Sequence, residues 1–183
     1  MSLFEIVGTV FGFLSVLLTV RASVWCWPTS IINIALFLVM FWQERLYADV
    51  INYAVLLVLC IYGWYEWLRG GERKTALKIA FASRRERLLA LAACALFSPA
   101  MGYAFARWTD AALPWWDSII AVVSLVAQVL LARKLVENWL LWIFVDLLAI
   151  GVYFVKGLYL TSGLYVVFLV LATIGWFQWL RQA

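Results

Sequence analysis

The chain matches itself without a gap at an offset of 112 residues. Trp27 falls on Trp139, Tyr53 on Tyr165, Gly63 on Gly175 and Arg21 on Arg133. The segment WYEWLR at 64–69 falls on WFQWLR at 176–181, Tyr47 on Tyr159, and Glu5 on Asp117. Each copy holds three apolar stretches, and one further stretch lies between the copies. If every stretch crosses a membrane, three crossings reverse direction and the single one restores it. The two copies are then parallel, related by an axis along the membrane normal. Parallel repeats of this kind occur in transporters, with the substrate near the midplane between the halves.

Composition supports the membrane. The chain is 67% hydrophobic and 13% charged, with mean hydropathy +0.98. A soluble domain of this size cannot bury that much apolar surface. The spans are expected near Phe4–Val20, Trp27–Trp42, Val50–Leu68, Leu88–Ala106, Trp116–Ala132, Trp139–Val155 and Leu160–Leu180. The expected fold is an all-α integral membrane protein of seven transmembrane helices, in a 3+1+3 layout of two parallel three-helix bundles. Residues 1–69 form the first bundle, 70–112 a basic loop and linker helix, and 113–183 the second bundle. Pro99 in the fourth span is expected to kink it. Glu5 interrupts the N-terminal apolar lead and no A-x-A-like site follows, so the first span is expected to be retained.

Basic residues set the orientation. With the loop 69–87 in the cytoplasm, eleven Lys and Arg lie inside, and only Arg45, Arg107 and Lys156 lie outside. The N-terminus is then outside and the C-terminus cytoplasmic. This sorting accounts for the net charge of +4, which is no argument for nucleic acid. Cys26, Cys60 and Cys94 have no metal spacing and read as packing residues. Histidine is absent, and no phosphate cradle or nucleophile–base pair occurs. The chain is therefore not expected to be an enzyme, and no cofactor is implied.

The polar residues inside the spans are few. Between Trp139 and Tyr153 every residue but Asp146 is apolar or aromatic. A carboxylate at such depth costs about 2.5–3.5 kcal/mol on insertion scales, so the protein interior must receive it. Helical spacing puts Trp139, Trp142, Asp146 and Tyr153 on one face. One reading is a binding wall for a flat, polar solute; the other is a buried acid that pins helices together. Asn33 in the second span and Gln128 in the fifth lie within roughly 5–6 Å of Asp146 in depth. Their amides suit either solute binding or interhelical hydrogen bonds. Asp146 and Asn33 differ from their repeat counterparts Ile34 and Val145, so polar groups break the symmetry of the scaffold. Ser124 shares a face with Gln128, Asn52 and Tyr53 are placed to line an entrance, and Tyr165 shares a face with Trp176 and Trp179. Trp64, Trp67, Trp176 and Trp179 lie toward the cytoplasmic ends and read mostly as interfacial anchors. Gly8, Gly12 and Ser15 give the first span a small-residue stripe suited to close packing.

The segments WPTSIIN at 27–33, YGWYEW at 62–67, ENWLLWIFVD at 137–146 and KGLYLTSGLY at 156–165 resemble the PnuC family of bacterial nicotinamide riboside transporters. The resemblance extends over nearly the whole chain. It implies a SWEET-like fold, a homotrimer in the inner membrane, and facilitated diffusion of nicotinamide riboside with trapping by a cytoplasmic kinase. Related Pnu transporters carry other vitamins such as thiamine, and a sugar carrier on the same fold is a further alternative. The residues suit the riboside. Trp27, Trp139, Trp142 or Tyr165 can stack on a cationic ring, worth about 2 kcal/mol when desolvated. Asn33 and Gln128 can pair with the carboxamide or the hydroxyls, and Asp146 can offset the charge.

Overall fold

The computed structural model describes residues 3–43, 45, 47–109 and 112–183. The side chains of Glu5, Tyr47 and Asp49 and the end of the expected linker at 110–111 lie outside the described residues. Among the described residues seven α-helices follow one another: α1 Leu3–Val20, α2 Cys26–Gln43, α3 Tyr47–Arg69, α4 Arg84–Trp108, α5 Pro114–Ala132, α6 Asn138–Val155 and α7 Tyr159–Leu180. Five of them, α2 and α4 to α7, are long and apolar enough to cross a membrane. Pro99 sits inside α4, which continues as one helix from Arg84 to Trp108.

The chain divides into two compact units, Met1–Lys78 with Ala132–Lys134, and Ile79–Leu131 with Leu135–Ala183. In the first unit α2 packs on both α1 and α3; in the second α6 packs on α7.

The offset of 112 is visible in local geometry. Shifting α2 by 112 residues lands on α6 at both ends. The turn after α1 places Ala22 at φ 51°, and the turn after α5 places Lys134 at φ 57°. Both turns close a helix end the same way. The Ser23 amide donates to the Leu18 carbonyl at 2.9 Å, and the Leu135 amide to that of Leu130 at 3.0 Å. These six-to-one bonds satisfy carbonyls that a helix end otherwise leaves unpaired. The next reversal uses Arg45 at φ 59° and Gly157 at φ 74°. Only Gly157 adopts this left-handed backbone without a Cβ penalty.

Each unit also holds the same indole lock. In the first unit Trp27 lies edge-on to Trp67, with ring centroids 5.4 Å apart at 87°. In the second, Trp139 meets Trp179 at 5.5 Å and 89°. Edge-to-face contact is the arrangement the ring quadrupole favours. A glycine opens the slot for each inner indole. A Cβ on Gly175 would stand 2.5 Å from Trp139 Cζ2, and one on Gly63 2.5 Å from Trp27 Cζ2. Trp67 and Trp179 are therefore core residues, 2% and 0% exposed, and not the interfacial anchors their positions suggest. Trp64, by contrast, is exposed and fits that role.

The small-residue stripe of α1 packs closely, as expected. Ser15 donates to the Cys26 carbonyl at 3.1 Å and shares a short hydrogen bond with Ser30. A Cβ on Gly8 would meet the Phe37 ring at 2.8 Å.

The loop after α3 is not loose. In the first unit the Lys134 ammonium sits 4.4 Å from the Trp67 ring centroid and donates to the Leu77 carbonyl at 3.0 Å. Burial lowers the Lys134 pKa below its ordinary value. In the second unit Ala80 and Leu135 form a parallel bridge, and the Val136 amide donates to the Ala80 carbonyl at 2.9 Å. Glu137 accepts from the Ala82 amide at 2.8 Å and pairs with Arg87 at 2.8 Å. Ser83 then caps α4 in a reciprocal box with Glu86.

Candidate functional site

α6 carries the polar centre. Asp146 is 4% exposed and sits on the helix face that also buries Trp139, Val145, Ala149 and Val152. Among the described residues no hydrogen bond or ion pair reaches its carboxylate. Trp142 stands one turn earlier and is half-buried. On α5 Gln128 is buried and engaged, and Ser124, one turn before it, is half-buried. On α7 Tyr165 stacks on Tyr153 of α6, with centroids 5.3 Å apart and planes at 21°.

Most of the remaining expected positions have structural contacts. Asn33 donates its amide to the Gly8 carbonyl at 2.7 Å, which is the interhelical bond open to it from the start. Tyr53 packs edge-on to Phe41 at 4.9 Å and near Phe37 at 5.9 Å. Asn52 is exposed. Trp27 is the inner indole of the first lock and Trp139 that of the second, at 1% and 2% exposure. The Nε1 of each is buried without an acceptor. In the second unit the buried Asp146 thus stands with three half-buried residues, Trp142 on α6, Ser124 on α5 and Tyr165 on α7.

Several residues escape a reading by sequence. Asn138 is fully buried, donates to the Leu135 carbonyl at 2.6 Å, and leaves its Oδ1 unpaired. Lys156, just past α6, donates to both oxygens of Asp117 at 2.7 and 2.8 Å. Their signal was opposite charge at two helix ends, an acid in the first turn of α5 and a base after α6, where the helix dipoles favour each. Among the described residues no cluster of three or more His, Cys, Asp or Glu could hold a metal.

This arrangement suits recognition of a solute: a mid-helix acid without a partner, flanking aromatics, and no group equipped for bond chemistry. A family model described as nicotinamide mononucleotide transporter matches residues 2–181. The nicotinamide riboside transporter PnuC of Escherichia coli is 30% identical, over all of this chain and 87% of that one. The riboflavin/roseoflavin transporter RibM of Streptomyces davaonensis is also 30% identical, over 96% of this chain and 83% of that one. A crystal structure of the vitamin B3 transporter PnuC superposes with TM-score 0.72 at 25% identity, covering 96% of this chain and 80% of that chain. The chain belongs to the nicotinamide mononucleotide transporter family, a family of transporters and not of enzymes.

Proposed function

We propose that the protein carries nicotinamide riboside across the bacterial inner membrane by facilitated diffusion. The observation that carries this reading is the buried carboxylate of Asp146, without a partner among the described residues, one turn from the half-buried Trp142. A flat pyridinium supplies what that pair lacks, a delocalised positive charge and an aromatic face. The attraction of such a ring to an indole is worth about 2 kcal/mol once water is excluded. Ser124 and Gln128 on α5 offer hydroxyl and amide groups for a carboxamide or ribose hydroxyls. Tyr165 belongs to the same proposed set, and Asn52 stays exposed where an entrance would lie, whereas Asn33, Tyr53, Trp27 and Trp139 support it mainly through packing.

The proposal extends to organisation. The helices follow a 3+1+3 plan with α4 as the linker, supported by the recurrence of turns and indole locks at the offset of 112. The domain limits are 1–69, 70–112 and 113–183. The N-terminus is outside and the C-terminus cytoplasmic, supported by the sorting of basic residues. The protein assembles as a homotrimer, and a cytoplasmic kinase traps the riboside as its phosphate. Both of these rest on the family resemblance.

Riboflavin is the second reading, because RibM is as similar in identity as the E. coli PnuC. Its ring system is uncharged, so it gives Asp146 nothing to neutralise. Uptake of labelled nicotinamide riboside, riboflavin and thiamine into liposomes holding the purified protein separates these readings. Uptake of riboflavin without the riboside would overturn the proposal.

A further inference from the structure

Past the end of α6 lies a second polar cluster, which shares Tyr165 with the set proposed above but not Asp146. The Lys156 ammonium grips both oxygens of Asp117, and the two side chains are 23% and 27% exposed. The same ammonium lies 5.9 Å from the centroid of the Tyr153 ring. Tyr153 is stacked face to face on Tyr165.

Helix dipoles explain why an acid begins α5 and a base follows α6. They do not explain a cation held beside two stacked phenols. The repeat does not require it either. Asp117 corresponds to Glu5 and Lys156 to Glu44, so the first copy has an acid at both places. The tyrosines correspond to Phe41 and Tyr53, which meet edge-on at 72° where Tyr153 and Tyr165 lie at 21°. Among the described residues, the second copy combines parallel phenol faces with an acid already holding a cation. Tyr153 lies seven residues beyond Asp146 on the same face of α6, about 10 Å along the helix.

We propose that Asp117, Lys156 and the Tyr153–Tyr165 stack form a second docking site for a flat organic cation, in which the Lys156 ammonium is the resident occupant that the incoming cation displaces from Asp117. This rests on the transport of nicotinamide riboside proposed above. Lysine suits such exchange. Its ammonium is a compact point charge that lacks the planar fork by which arginine locks onto a carboxylate. Partly exposed pairs of this kind are weak, so removing the competitor changes cation binding by about twofold to fivefold.

The test measures KM for uptake by the reconstituted protein with two substrates of one shape. One is cationic nicotinamide riboside, and the other its uncharged dihydropyridine counterpart. Lys156→Met should lower KM for the cation about twofold to fivefold and leave KM for the uncharged form unchanged. Asp117→Asn should raise KM for the cation alone. Lys156→Arg keeps the charge and the ion pair, and so carries the test if Lys156→Met fails to fold. Its tighter grip should raise the cation KM, whereas a pair that merely fastens two helix ends would accept arginine without change. A ratio of the two KM values that stays at the native figure in all three variants overturns the docking site while leaving riboside transport standing. A native protein that takes up neither form overturns both.

Discussion

Replacing Gly175 by alanine tests the indole lock of the second unit. The new Cβ would lie 2.5 Å from Trp139 Cζ2, 2.6 Å from Cε2 and 2.7 Å from Cη2, where ordinary contact begins at 3.4 Å. The shortfall is about 0.9 Å against a rigid ring. Trp139 cannot yield easily, because it is 2% exposed and Trp179, fully buried, abuts it at 5.5 Å. Either α7 withdraws from α6 or the indole leaves its rotamer. Overpacking of this kind costs about 1–3 kcal/mol, which lowers Tm by about 2–12 °C for a chain of this length. Gly163→Ala is the control on the same helix, since nothing lies within 4 Å of a Cβ there. It should hold or raise Tm, as alanine is favoured over glycine in a helix by about 0.5–1 kcal/mol. Gly63→Ala should fall with Gly175→Ala, because Trp27 fills the matching slot. The assay is thermal unfolding of purified protein in detergent, followed by the loss of the monodisperse peak on size exclusion. A Gly175→Ala protein that melts with the native one would refute the lock.

Four further outcomes are expected. Asp146→Asn should weaken riboside binding tenfold to a hundredfold, from the loss of about 1.5–3 kcal/mol, while Tm holds or rises because no native partner is lost; calorimetry and thermal unfolding on one preparation read both. No Lys or Arg lies within α5, α6 or α7, so the riboside 5′-phosphate should fail to bind despite the family's description, and equal affinity by calorimetry would contradict this. Burial lowers the Lys134 pKa, so between that value and 10.5 the unfolded chain binds more protons there, and this residue's contribution to stability rises with pH; the Tm difference between native protein and Lys134→Met should shift in the native protein's favour over that interval. A fluorescent protein fused after Ala183 should glow in the cytoplasm, and a dark fusion with periplasmic phosphatase activity at the same point would reverse the orientation.

Much of the fold was legible because the repeat constrains helices through spacing alone. Span limits agree with the helices to within a few residues, apart from α4, which begins earlier at Arg84. Periodicity does not show which aromatic side chains meet. Trp67 and Trp179 looked interfacial by depth, but a glycine four residues earlier, on the same helix face, was the available sign of a packed slot. Asn33 had two uses open to it, and only the packing of α2 on α1 brings the Gly8 carbonyl within its reach. Asp146 was legible for a different reason: few ionisable groups enter an apolar span, so its cost marks it. The grip of Glu137 on the Ala82 amide was not legible, since it joins residues 55 apart with no local pattern between them. The Asp117–Lys156 pair spans 39 residues and was hidden for the same reason.

The left-handed residues at 22, 45, 134 and 157 carry a consequence for insertions and deletions. Adding or removing one residue in a helix rotates everything beyond it by about 100°. Such a slip would turn Trp27 away from Gly63, or Trp139 away from Gly175. The reversals share the offset of 112 with the helices, so turn length is held as firmly as helix length. Between Leu77 and Ala82 the loop after α3 is held by its backbone contacts. The tip at Gly70 and Gly71 is the place in that loop where extra chain disturbs neither a helix phase nor those contacts. An epitope or a compact reporter domain spliced there should leave uptake intact, whereas a single residue added beside Ala22 or Lys134 should abolish folding.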